Sequence, residues 1–339
     1  MKDAPGRLYR VLPAQINQTL SAAMRTWLAD ASWGAVRNLL KTRRVLVNGN
    51  LCLDAGRRLK LTDVIKVLEH PAAPLAREDD VLIRYLDQHL VVVEKPSGMT
   101  SVRHAEEQHW TGKRRQQNPT LEDVLPRLMA KKEAGAKAAR RREPRGGPPP
   151  ARTQPVRPVH RLDRDTSGLM VFARTVVAER HLGEQFRQHT THRRYLALAR
   201  GEVQAQTIAT QLVRDRGDGR RGSTTEADIG KHAVTHVRPL EKLEGATLIE
   251  CQLETGRTHQ IRIHLAERGH PLLGETIYHQ PRFGEPTADT SGAPRLALHA
   301  AELGFKHPVT GEAMYFEMPL PDDLEQFLRR LRHAASRGQ

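Results

Sequence analysis

The residues of this chain best suited to chemistry lie in His160-Arg161-Leu162-Asp163-Arg164-Asp165-Thr166-Ser167-Gly168-Leu169. One carboxylate, Asp163, stands just before the apolar run at 169–173, which is short and continuous and suits a core strand better than a surface helix. Thr166, Ser167 and Gly168 supply the turn into that strand, glycine being able to take backbone conformations closed to other residues. Arg161 and Arg164 flank the acid with cations that favour its charged form. A charged carboxylate so placed can attack an electrophile or remove a proton. The bland alternative for an isolated Leu-Asp-Xaa-Xaa-Thr is a structural aspartate that caps a turn.

Three further groups could serve that acid. Residues 255–269 read as a helix, with Thr258 as its N-cap and Gly269 as its stop. Arg262 falls in the first turns of this helix, where its guanidinium fork can reach a carboxylate through two parallel bonds. Tyr195 opens a strand at 195–201; a strand-initial tyrosine is ordinarily a packing residue. In Lys95-Pro96-Ser97-Gly98, proline and glycine bend the chain while Lys95 can point at phosphate or brace the site. A metal centre is not expected. His160, His259 and His264 sit near these motifs, but His259 and His264 are five residues apart and so lie on different faces of a helix.

Taken together, His-Arg-Leu-Asp-Xaa-Xaa-Thr-Ser-Gly-Leu resembles the catalytic motif of the RluA family of pseudouridine synthases, with His160 separating it from sister families that share only the Leu-Asp core. Thr-Gly-Arg-Thr-His-Gln-Ile-Arg-Xaa-His resembles another motif of that family, and Lys-Pro-Xaa-Gly a further one that supports the catalytic loop. The resemblance implies that Asp163 is the catalytic acid and Arg262 the arginine paired with it. It implies that Tyr195 is the active-site tyrosine and that Leu298 packs beneath the base. Arg161 would fill the gap left by a flipped nucleotide, and His160 and Lys95 would belong to the substrate site. The implied reaction uses no cofactor. It also implies an α+β fold: a catalytic domain at 80–333 with a central mixed, mostly antiparallel sheet flanked by helices and loops.

The chain has 339 residues and a formal net charge of +15, enough length for two domains and enough positive charge to point to a polyanionic partner, nucleic acid first. Residues 1–70 hold twelve Lys/Arg against five Asp/Glu, a balance of +7. Aromatic content of 4% argues against a platform that stacks many bases, so shape and phosphate contacts should carry recognition. Cys52 and Cys251 are far apart and sit in strand-like runs, which gives no disulfide framework and fits a reducing cytosol. No run approaches eighteen uninterrupted apolar residues, and the first ten carry charges without an apolar core, so a cytoplasmic protein without a membrane span is expected, acting as a monomer.

In chain order, Leu20, Met24 and Leu28, then Val36, Leu39 and Leu40, mark two short helices. The basic lead-in Arg43-Arg44, the strand Val45-Leu46-Val47 and the turn Asn48-Gly49 follow, and 57–67 alternates toward a second strand. This region, 14–70, looks like the small S4-type RNA-binding module shared by a ribosomal protein and tyrosyl-tRNA synthetases, with Arg43, Arg44 and Asn48 as candidate RNA contacts. Residues 103–155 read as a flexible basic insertion, in which 131–152 hold eight Lys/Arg against two Asp/Glu, a balance of +6. Ala178, Leu182 and Phe186 mark a helix; 211–224 reads as loop; 235–239 and 246–253 read as paired strands; and 279–294 reads as a flexible loop able to close on RNA. The functional expectation is isomerisation of uridine to pseudouridine, in large-subunit ribosomal RNA first. Transfer RNA, or a non-catalytic RNA-binding role in ribosome assembly, is the alternative.

Overall fold

The first helices begin where the sequence offers a capping hydroxyl. In the computed structural model, Thr19 accepts the Ala22 N–H at 3.3 Å to start α1 (Leu20–Trp27), and Ser32 accepts that of Ala35 at 3.1 Å to start α2 (Trp33–Lys41). The structure describes residues 8–48, 50–61, 63–68, 76–103, 107, 115, 119–140, 155–217, 220–226, 228–278 and 289–337. Leu20, Met24, Val36 and Leu40 face inward onto Val45, Val47 and Ile65. These last belong to a sheet built from β1 (Leu8–Arg10), β2 (Val45–Val47), β3 (Asn50–Leu51) and β4 (Val64–Val67), in the order β1-β4-β2-β3. The strand expected at 57–67 is shorter than its alternation suggested. Asp63 turns the chain there, its carboxylate accepting the Lys60 N–H while its own N–H donates to the Lys60 carbonyl.

Contacts divide the chain into two compact units: Met1–Pro74 with Ala209–Ala233, and Leu75–Ile208 with Val234–Gln339. Within the second unit the strands are β5 (Leu82–Leu86), β6 (Leu90–Lys95), β7 (Arg157–Pro158), β8 (Ser167–Ala173), β9 (His192–Arg200), β10 (Gln206–Val213), which runs on into the first unit, and, past β11 (Gly222–Thr224) of the first unit, β12 (Lys231–Leu243), β13 (Ala246–Leu253), β14 (Leu298–Lys306) and β15 (Ala313–Glu317). They run in the order β12-β13-β9-β14-β8-β6-β5, with β15 on β14 and β7 on β8. Neighbours are antiparallel except β14 and β8, which are parallel, so the sheet is mixed and mostly antiparallel. The apolar run expected as a core strand becomes β8, every residue of which is buried.

Among the described residues the α-helices of this unit are α3 (Leu121–Arg140), α4 (Val176–Arg187), α5 (Gln260–Glu267) and α6 (Asp322–Arg337). Ala178, Leu182 and Phe186 of α4 bury the expected stripe on one side of the sheet, with Leu169 and Val171. Among the described residues no helix is long and apolar enough to cross a membrane.

Two expectations need correction here. The insertion at 103–155 is not uniformly flexible: α3 buries Leu121, Val124, Leu125 and Met129 in the main core beside Val91, Val93 and Met170. Its apolar positions recur at three- and four-residue spacing, and that periodicity outweighs the basic composition farther along. Residues 141–154 lie outside the described residues. The loop expected at 211–224 contains the end of β10 and all of β11, which pair antiparallel from Gln211 with Thr224 to Val213 with Gly222.

Gly168 shows how tightly the turn into β8 is built. Its φ is +127°, and a Cβ there would fall 2.3 Å from the Ala300 carbonyl oxygen on β14. Gly168→Ala should therefore destabilise the protein by at least about 2 kcal/mol, from backbone strain together with displacement of β14. Urea unfolding of the variant measures this, with an unchanged midpoint as the contrary result.

Candidate active site

The backbone around Asp163 is fastened by the segment after β6. Ser101 donates its hydroxyl to the Leu162 carbonyl at 2.7 Å and accepts the Leu162 N–H at 3.2 Å. Gly98 N and the Lys95 ammonium both donate to the Arg164 carbonyl, at 2.9 and 3.0 Å, and Ser97 donates to the Asp165 carbonyl at 2.8 Å. The turn closes with Thr166 N on the Asp163 carbonyl at 3.2 Å. With its main chain pinned on both sides, Asp163 has little freedom beyond its own side-chain torsions.

That side chain enters a cavity of about 690 Å³ whose wall includes Arg161, Tyr195, His259, Arg262 and Leu298. Arg262 Nη1 lies 3.7 Å from Asp163 Oδ2, and His259 Nε2 lies 3.7 Å from Oδ1. The two-bond fork expected of Arg262 is made to a different acid: Nε and Nη2 each donate to Glu275 at 2.7 Å. Both side chains are buried, at 4% and 1% exposure, so each charge depends on the other. Burial alone would push the Glu275 carboxyl up. The Arg262 charge and hydrogen bonds, with the Ile277 and Tyr278 N–H groups, more than reverse this and hold it down at about 2. The same pairing holds the Arg262 guanidinium above its ordinary value despite burial.

Tyr195 sits on β9 opposite Ala300 and Cys251. Burial pushes its phenol up; Arg193 opposes the rise and Asp163 adds to it, so the hydroxyl keeps its proton at neutral pH. Leu298 begins β14 and lies on the cavity wall, and Arg161 is exposed at the same cavity. His160 also lines it, but its ring stacks on Phe186 with centroids 4.4 Å apart and its Nε2 accepts the Val171 N–H at 3.0 Å. Burial, with Arg193, lowers this imidazole to about 3, so it is a neutral brace between the loop and β8.

Not every expected site residue reaches the cavity. Lys95 is fully buried and absent from the wall, its ammonium spent on the Pro96 and Arg164 carbonyls. Of the two roles open to it, bracing is the one the fold uses; burial lowers its pKa to about 7. Thr258 is not the cap of α5. His259 precedes that helix with φ +60°, and the Gln260 side chain ties the entry instead, accepting from Thr255 Oγ1 at 2.8 Å and Arg257 N at 3.0 Å. The three histidines weighed as metal ligands go separate ways: His264 Nδ1 meets Thr235 Oγ1 at 2.9 Å, His259 faces Asp163 and His160 meets Val171. In the amino-terminal unit, Asn48 spends its amide on Asp63 Oδ1 at 2.7 Å and the Val64 N–H at 2.8 Å, and Arg44 Nε donates to the Leu68 carbonyl at 2.8 Å; Arg43 is half-buried with φ +60°.

Comparison with known proteins bears on this arrangement. The family model described as RNA pseudouridylate synthase matches residues 89–267, which span Asp163, Tyr195 and Arg262. The chain belongs to the RNA pseudouridylate synthase family. An uncharacterized RNA pseudouridine synthase of Bacillus subtilis is 36% identical over 94% of each chain. Ribosomal large subunit pseudouridine synthase D of Zymomonas mobilis is 34% identical over 93% of this chain and 94% of that one. The Nitrosomonas europaea protein of the same name is 37% identical over 74% of this chain, a match that spans 65% of that protein's length. Among solved structures, human RNA pseudouridylate synthase domain containing 4 superposes with a TM-score of 0.54 at 25% identity, covering 74% of this chain and 92% of that one. The fold of this pseudouridylate synthase is thus the α+β one expected.

Glu275 was missed from the sequence because a single acid in a Gly-Glu-Thr loop carries no periodic or motif signal. Its depressed pKa gives a measurable consequence. A carboxyl lowered from 4.5 to about 2 contributes stability that is fully present above pH 4.5 and is lost as pH falls toward 2. Glu275→Gln should be less stable than the native chain at pH 7, and the gap should narrow as the pH is lowered through that window. Unfolding free energies measured as a function of pH test this; a gap independent of pH contradicts it.

Proposed function

We propose that this enzyme isomerises specific uridines to pseudouridine in large-subunit ribosomal RNA, with Asp163 as the reacting carboxylate. The observation that carries the reading is the convergence of Asp163, Arg262, Tyr195 and Leu298, from separate stretches of sequence, on one cavity. The ribosomal target is supported by relatives at 34–37% identity whose names specify the ribosomal large subunit.

The reaction breaks the bond from uracil N1 to ribose C1′ and makes one from C5 to C1′. The proton that leaves C5 is matched by one gained at N1, so nothing is oxidised, reduced or hydrolysed. A site for this must keep a detached base from escaping and keep water from intercepting the sugar. The buried wall formed by Leu298, Ile261 and Tyr195 suits that need. Arg262, neutralised on one side by Glu275, still turns Nη1 toward Asp163. Tyr195 offers a ring face to the uracil. Burial holds its phenol protonated, so of the two roles, stacking on the base and accepting the C5 proton, the ring-face one is what its environment supports.

A uridine within folded RNA reaches this cavity only by leaving its stack, at a cost on the order of a few kcal/mol. Arg161, exposed at the cavity, is available to occupy the vacated position or a flanking phosphate. The amino-terminal unit, with its helix pair, its basic turn at Arg43-Arg44 and its charge of +7 over residues 1–70, is read as an S4-like module that anchors RNA by phosphate contacts. The Asn48 amide is bonded to Asp63 and the Val64 N–H, and Arg44 Nε to the Leu68 carbonyl, so a phosphate contact at Arg44 would use its terminal guanidinium nitrogens.

Pseudouridine mapping by carbodiimide-blocked primer extension, in cells with and without the gene, tests the function. One or more stops in large-subunit ribosomal RNA should vanish without the gene; stops lost from transfer RNA instead would reassign the substrate, and no change would refute the activity. Asp163→Asn should fail to restore the stops while binding RNA with affinity within about threefold of the native chain, since the substitution is nearly isosteric. Restored stops would refute the role of Asp163. Replacing Arg43 and Arg44 by Ala should weaken RNA binding across sequences and reduce its salt slope by roughly one to two phosphate contacts. Filter binding at several salt concentrations measures this, and unchanged binding would sink the anchoring role.

A further inference from the structure

Arg262 approaches only one oxygen of Asp163. The other, Oδ1, faces His259 Nε2 at 3.7 Å. His259 is 6% exposed, and its Nδ1 lies 2.7 Å from the hydroxyl of Tyr278, itself 4% exposed. It also holds φ at +60°, a left-handed conformation that costs a residue with a side chain roughly 1–2 kcal/mol. Strain of this kind persists where surrounding structure enforces it, and it is concentrated at functional sites.

The hydrogen-bond inventory limits how this pair can be protonated. An ionised Asp163 only accepts, so the nitrogen facing it must carry hydrogen. A neutral imidazole with its proton on Nε2 has a lone pair on Nδ1, and the Tyr278 O–H can donate to it. Tyr278 is held in turn: its backbone N–H reaches Glu275 Oε1 at 3.3 Å, and the Arg262 guanidinium stands over its ring at 5.3 Å. The stretch 275–278 therefore backs both groups that flank the carboxylate, Arg262 through the Glu275 side chain and His259 through the Tyr278 hydroxyl.

We propose that His259, set in its Nε2–H tautomer by Tyr278, is a positioning residue that holds Asp163 Oδ1 while Arg262 holds Oδ2. The two contacts fix the plane of the carboxylate, so that entry of a nucleotide finds it already aimed. At 3.7 Å both contacts are longer than hydrogen bonds, as unloaded sites often are, and they tighten when substrate is bound. The inference rests on Asp163 being the reacting carboxylate.

The test compares His259→Ala, His259→Gln, Tyr278→Phe and Asp163→Asn in single-turnover tritium release from a large-subunit ribosomal RNA transcript labelled at uridine C5, with RNA affinity and thermal unfolding measured on the same preparations. Glutamine can set its amide N–H near the position of Nε2. His259→Ala should slow release about 100-fold with RNA affinity unchanged, His259→Gln should recover about 10-fold of that loss, and Tyr278→Phe should slow release about 10-fold. A native rate in His259→Ala, or equal rates in the Ala and Gln variants, overturns the proposal. If His259→Ala does not fold, Tyr278→Phe, which removes a single oxygen, decides alone: a native rate overturns the proposal, and a loss without a fall in unfolding temperature supports it. Turnover by Asp163→Asn would instead overturn the functional reading beneath it, so the two failures are told apart.

Discussion

A guanidinium taken out of water has to be neutralised, and Arg262 is neutralised by an acid that is not the one it serves. Glu275 takes the two nitrogens on one edge of the fork, which leaves Nη1 directed at Asp163. Were Asp163 the sole counterion, any protonation or covalent change at that carboxylate during turnover would strand a buried positive charge at a cost of several kcal/mol. With the Glu275 carboxyl held down at about 2, it is ionised at neutral pH and Arg262 keeps a partner whatever happens at Asp163. With Asp163 as the proposed reacting group, this division of labour lets the arginine act on it without depending on it.

The rest of the catalytic unit can be understood as holding that geometry. The main chain at 162–165 is gripped by Lys95, Ser97, Gly98 and Ser101, so the aspartate is fixed from behind. β8 then carries the loop into the middle of the sheet, and Ser167 at its start meets His299 Nδ1 on β14 at 2.9 Å. Because β14 also begins with Leu298 and pairs with β9, which carries Tyr195, the cavity wall and the Asp163 loop share one set of strands. A displacement of one is felt by all.

Much of this was legible in the sequence, for reasons that differ from residue to residue. The continuous apolar run after Gly168 suited a core strand better than a surface helix, and the four-residue recurrence of Ala178, Leu182 and Phe186 suited a helix with one buried face. Residue type did not tell which way a side chain would point. Lys95 is as well suited to phosphate as to carbonyls, and it turns inward because three neighbouring groups, Ser97, Gly98 and Ser101, already commit that segment to the catalytic loop. Composition misled at α3, where Leu121, Val124, Leu125 and Leu128 offered only a helical turn or two to set against the basic stretch that follows. Glu275 and Tyr278 were illegible as site residues because lone acids and tyrosines are common in loops of any protein, whereas His259 stood inside the Thr-Gly-Arg-Thr-His-Gln-Ile-Arg motif but was weighed only as a metal ligand.

Where a uridine sits relative to Asp163 decides the role of this cavity. A crystal structure of this chain with an RNA oligonucleotide carrying 5-fluorouridine, whose fluorine occupies the position of the departing C5 proton, would locate it. The expected result is a flipped nucleotide with its sugar C1′ facing the Asp163 carboxylate, its ring between Tyr195 and Leu298, and Arg262 bridging Asp163 and Glu275. A nucleotide bound with its ring outside this cavity, or with Asp163 turned away from the sugar and base, would contradict it.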